Sequence, residues 1–264
     1  MSIVKEYFED VLSRMGYGDT EVYYSLGYCQ GDGVAFYGEI DLERVARRIL
    51  GPKRHIEAVL NVLADEGGKY GIERPRVQRI PGRGRYDHAF TMEIGGDLEF
   101  LDEDDVDSLT REAWAEFTEA LLEDVQRISY RLERDGYALY EAFLTNEDEE
   151  QVLYERCVGN CRVRVRTRAD EDAPSMFATA RECEDFREVC FSLIQGELAV
   201  VSMVAEIFNL DDEDGGPLVD SSLYEVDIKI KDGKPVRQDF LPIARELVSE
   251  AAAALRPTDE KKAA

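Results

Sequence analysis

Thirteen carboxylates and a single base, Arg111, fall between Glu93 and Asp124. Asp97, Asp102, Glu103, Asp104, Asp105 and Asp107 come first. Glu112, Glu116, Glu119 and Glu123 follow at three- and four-residue steps, the spacing that lines side chains along one side of a helix. Such a row can present negative charge at intervals, as a phosphate backbone does, and be drawn to a basic cleft quickly and in a salt-sensitive way. The stretch upstream has the opposite sign: from Arg44 to Tyr86 there are eleven bases against four acids, a local net charge of +7. Neutralisation inside the molecule, with the basic segment lying against the acidic helix, is therefore the competing reading.

A second constellation sits at Tyr28-Cys29-Gln30-Gly31-Asp32-Gly33. A hairpin turn needs the glycines and the aspartate, but not the glutamine or the aromatic ring. As a ligand site, Gln30 and Asp32 would hydrogen-bond a polar edge, Tyr28 would stack on it, and Arg83 and Arg85 would neutralise phosphate. The segment is too short for a phosphate loop, and neither a Walker loop nor a dinucleotide fingerprint occurs in the chain. Among the five cysteines, Cys157-x3-Cys161 and Cys183-x6-Cys190 lack the two-residue knuckle spacing of structural zinc. The only histidines, His55 and His88, are far apart and outside any helical metal motif. With 57 acids, carboxylate pairs are inevitable and carry no signal. No cofactor or metal is expected, and no catalytic residue is assigned.

These residues must be held by a folded scaffold. At 264 residues and 44% hydrophobic the chain can bury a substantial core, and its net charge of −25 disfavours direct binding to nucleic acid or anionic membranes. The longest apolar stretch, around Leu198–Ala205, is far below the ~20 residues of a membrane helix. No secretion signal is legible at the start and the odd cysteine count argues for reduced thiols, so a cytoplasmic protein is expected. Helices are expected over Ser2–Met15, after an Asp41 N-cap, over Lys53–Asp65 with Ile56, Val59, Leu60 and Leu63 inward, and over Ser108–Asp135. Gly136 is read as an interruption, with helix resuming over Tyr137–Leu144 and another over Asn146–Cys157. Hairpins are expected around Glu21–Asp41, with a tight Asp-Gly turn, and over Tyr70–Ile94. Cys161–Arg168 alternates strictly and must be a strand with its arginines on the wet face. Further strands fall at Leu198–Phe208 and Tyr224–Lys231, with helices at Glu182–Ile194 and Phe240–Leu255. The sum is an α+β protein of antiparallel hairpins with segregated helices, one of them long and central. Residues 1–135 and 136–255 could form two α+β regions or one composite domain, with 256–264 a frayed tail.

Three stretches carry a resemblance. Tyr24–Phe36, read as YSLGYCQGDGVAF, resembles a recurrent "YSGF-SQGDGA-F" hairpin. Tyr137–Arg168 resembles the helix and strand that follow it, and Gly196–Val226 a "GEW-FVGI…SLWGIE" tail. The group in which these occur consists of uncharacterised proteins carried by tailed bacteriophages. The likeness covers about half the chain and departs at Cys29, where the pattern has serine, and at the missing tail tryptophans. It implies a phage setting and no reaction. The expectation is then a binding protein: an inhibitor of a host nucleic-acid-handling or defence protein, its carboxylates meeting a basic protein surface. The alternatives are a small-ligand or nucleotide-handling protein or enzyme with its pocket at the hairpin, and a virion or scaffold component, with a homo-oligomer open in either case.

Overall fold

A computed structural model describes residues 3–29, 31–63, 73–80, 92–96, 106–143, 151–168, 185–212 and 215–255. It is an α+β protein with two antiparallel sheets, and the chain divides into two compact units, Val4–Tyr137 and one built from Ala138 onward. The expected tail lies outside the described residues, as do Gln30, Arg83, Arg85, Asp97, Asp102, Glu103, Asp104 and Asp105.

In the first unit, α1 (Ile3–Met15) is followed by β1 (Thr20–Ser25) and β2 (Gly33–Glu39), paired from Thr20↔Gly38 to Ser25↔Gly33. Next come α2 (Leu42–Ile49), α3 (Lys53–Leu63), β3 (Arg76–Arg79), β4 (Met92–Gly95) and α4 (Ser108–Phe143), with sheet order β1-β2-β3-β4. The apolar stripe of α1 is buried, as its spacing requires, and so is that of α4, including Trp114, Phe117, Leu121 and Leu132. Asp41 caps α2 by accepting from the Arg44 amide at 3.0 Å. In α3 the buried side chains are His55, Ala58, Val59 and Val62, so the inward face is rotated from the expected one. It follows the small Ala58 and the carboxylate that receives His55, which hydrophobicity alone does not weigh.

Two expectations for this unit are corrected. β1 ends at Ser25 and β2 begins at Gly33, so the connection is longer than a tight turn over Cys29–Gly33, with Tyr28 at φ 54° and Gly31 at φ 97°. Gly136 does not interrupt α4, which runs unbroken to Phe143. A Cβ at Gly136 would lie 2.6 Å from Phe8 Cζ and 2.9 Å from Leu26 Cδ1, so the glycine is there for close packing against α1 and the loop.

The second unit holds β5 (Gln151–Val158), β6 (Cys161–Arg168), α5 (Phe186–Ile194), β7 (Leu198–Asn209), β8 (Val219–Lys231), β9 (Lys234–Pro235) and α6 (Arg237–Ala254), with the strands in sequence order across the sheet. Residues 151–157, expected as helix, are strand. The acidic residues before them suggested a helix start, but QVLYERCV is edge strand to β6, joined through a turn with Gly159 at φ 60°. Along β7, Val201, Met203 and Ala205 join Val165, Val226, Ile228 and, from α6, Phe240, Ala244 and Leu247 in one core. The opposite face carries the β6 arginines: Arg166 donates to both oxygens of Glu206, and Arg162 and Arg164 lie over the Phe208 ring. Among the described residues no helix is long and apolar enough to cross a membrane.

Candidate functional site

Helix α4 sorts its acids by direction. At about 100° per residue, Glu112, Glu116, Glu119 and Glu123 fall within an arc of about 60° on one side of the helix. Glu112, Glu119 and Glu123 are exposed. Glu116 is half-exposed and its Oε2 is hydrogen-bonded to Nδ1 of His55, itself buried. Among the described residues no lysine or arginine lies within ion-pair distance of these four glutamates. Asp107 has a different job. It caps α4, accepting from the Thr110 amide at 3.0 Å and the Thr110 hydroxyl at 2.7 Å, and those bonds hold its carboxyl below the usual range.

Two further acids of α4 face inward. Asp124, 2% exposed, accepts from the Tyr17 hydroxyl at 2.7 Å, from both terminal nitrogens of Arg48 and from Arg127. Burial pushes its carboxyl up, but the bonds from Arg48 and Tyr17 outweigh it and hold the pKa below the ordinary value. Tyr17 is pushed up in turn, first by burial and then by the Asp124 charge. Eleven residues on, Asp135 repeats the arrangement, accepting from Tyr7 at 2.8 Å and from Arg131 and Arg134. Compensation between the basic segment and the acidic helix is thus present at Arg48–Asp124, and with Glu116 hydrogen-bonded to His55, three glutamates of the row face solvent. The tyrosine partners went unseen in the sequence because they lie about a hundred residues away from their acids.

At the loop, Asp32 is 7% exposed and works inward. Its carboxylate accepts from Ser25 Oγ (2.8 Å), the amides of Gly27 and Cys29 (2.8 Å each), Cys29 Sγ (3.2 Å) and the Tyr137 hydroxyl (2.6 Å). The Tyr137 bond, then the Cys29 amide, hold its carboxyl far below the usual range, and the same bond raises Tyr137 to about 12. The exposed ring of Tyr28 packs on Tyr137 with centroids 4.7 Å apart. Asp32 is therefore the node that ties Ser25, Gly27, Cys29 and Tyr137 together, and its acceptor capacity is spent inside the protein. Among the described residues no group of three or more His, Cys, Asp or Glu could hold a metal ion.

Compared with family models, curated proteins and solved structures, the chain matches none.

Proposed function

We propose that the protein is a binding protein whose working surface is the glutamate row of α4, directed at a basic protein surface. The observation that carries this is the row itself: Glu112, Glu119 and Glu123 are exposed and aligned on one helix, with no described lysine or arginine within ion-pair distance, in a chain of net charge −25. In the phage setting implied by the hairpin resemblance, the target is a nucleic-acid-handling or defence protein in the host cytoplasm. The carboxylates take the place that target reserves for phosphate oxygens, and the encounter is steered by opposite fields.

The test is affinity capture from bacterial extract with the immobilised full chain, compared with the Glu112→Gln/Glu119→Gln/Glu123→Gln variant. The expected result is retention of basic nucleic-acid-handling proteins, eluted by moderate salt, displaced by duplex DNA and lost in the variant. Retention that is indifferent to the three substitutions and to DNA refutes the reading.

A further inference from the structure

The second unit holds a feature that the charge balance of the chain makes unexpected. Helix α6 covers β7 and β8 and stops short of the edge strand, leaving a groove between itself and β5. The groove has a volume of about 410 Å3, within the range of small-molecule sites. Its floor is apolar, with Val165 and Ala244 buried and Leu241 and Val248 half-buried. Three exposed arginines also line it, Arg156 from β5 and Arg237 and Arg245 from α6, together with the half-exposed Tyr154. No carboxylate is among the described residues that line it, and none of the three arginines has an ion-pair partner among the described residues.

Only some of the unit's other arginines are ion-paired: Arg162 lies over the Phe208 ring and Arg168 over that of Tyr224. On the opposite face of the sheet Arg164 is paired with Glu155 and Arg166 with Glu206. In a chain with 57 acids and 32 bases, no described carboxylate answers the three arginines that line this one depression, and an anion bound there would. A single carboxylate would answer one of them. A phosphoryl group brings about two negative charges and three acceptor oxygens, and the planar guanidinium fork matches it with two parallel bonds. The apolar floor and the tyrosine call for a flat or aliphatic body on the same molecule. We infer that the groove between β5 and α6 binds a small organic phosphate of nucleotide size, its phosphates on Arg156, Arg237 and Arg245 and its ring over Leu241, Val248 and Tyr154. The groove offers few groups to read a base edge, so recognition rests on charge and stacking and tolerates different bases.

The experiment is calorimetric titration of the full chain with ADP, AMP, inorganic pyrophosphate and octanoate. ADP is expected to bind most tightly, AMP more weakly, pyrophosphate about tenfold or more below ADP for want of a ring, and octanoate not at all. Arg156→Gln/Arg245→Gln should lower ADP affinity by about tenfold or more per guanidinium removed. The control Arg164→Gln, on the far face, should leave it unchanged, and circular dichroism of each variant establishes that the fold is intact. The inference is overturned if neither nucleotide binds, if the double variant binds ADP as the parent does, or if octanoate or pyrophosphate equals ADP.

Discussion

Replacing Asp124 by asparagine keeps the shape of the side chain and removes its charge. In the parent the Asp124 side chain is 1% exposed and that of Arg48 is 23% exposed, and Nε of Arg48 has no hydrogen-bond partner. The substitution leaves Arg48 facing an amide that can serve one of its two terminal nitrogens, and Tyr17 competes for the same oxygen. Removing one member of a fully buried pair costs about 3–5 kcal/mol. Water reaches part of Arg48, so about 2–3 kcal/mol is expected here. For a domain of this size that lowers the melting temperature by about 5–10 °C. Thermal melting followed by circular dichroism reads the loss, and a cycle with Arg48→Met isolates the pair. In the Arg48→Met background only Arg127, which is largely in water, loses its partner, so Asp124→Asn should cost less, with a coupling of about 1–3 kcal/mol. Strict additivity of the two substitutions, or a single variant melting within about 2 °C of the parent, refutes the reasoning.

The same pair gives a pH dependence. Because the Asp124 pKa is depressed on folding, its contribution is complete above the unfolded value of about 3.9 and is lost as pH falls through the lower folded value; parent melting curves should lose more stability below about pH 4 than those of Asp124→Asn. At the loop, the hydrogen bond to Asp32 raises the Cys29 thiol, so Asp32→Ala should speed alkylation of Cys29 by iodoacetamide at pH 8 and accelerate hydrogen exchange at the Gly27 and Cys29 amides; unchanged rates would remove Asp32 from its place as the node. Gly136→Ala gains about 1 kcal/mol in helix propensity but drives a methyl into Phe8 and Leu26, and a net loss of about 1–3 kcal/mol is expected; a higher melting point would show that the packing there is loose.

Local pattern carried much of the architecture. CRVRVRTR could only be a strand, and both its dry valines and its paired arginines stand where alternation places them. The inward stripe of α4 and the Asp41 cap are equally local, and the outward glutamate row follows from spacing alone. What could not be read depends on partners distant in sequence. β5 has no clear alternation of burial, because an edge strand is held by its neighbour and not by its own amphipathicity, and nothing local to Arg156 ties it to Arg237 and Arg245. Gly136 looked like a breaker because the ring of Phe8 that needs its missing Cβ comes from another helix. Asp32 looked like a turn residue because its strongest partner, Tyr137, lies 105 residues downstream.

One consequence of the unbroken course of α4 concerns selectivity. If that row is the working surface, Glu112, Glu119 and Glu123 on a single stiff rod make a comb whose teeth cannot be respaced, about 10 Å and then about 6 Å apart along the axis and ending about 16 Å from where they start. A floppy cationic tail could touch such a comb but would forfeit its own freedom to stay in step with it. A folded surface whose cations already repeat at the matching interval forfeits nothing, so cadence, more than quantity of charge, would decide which partner is held.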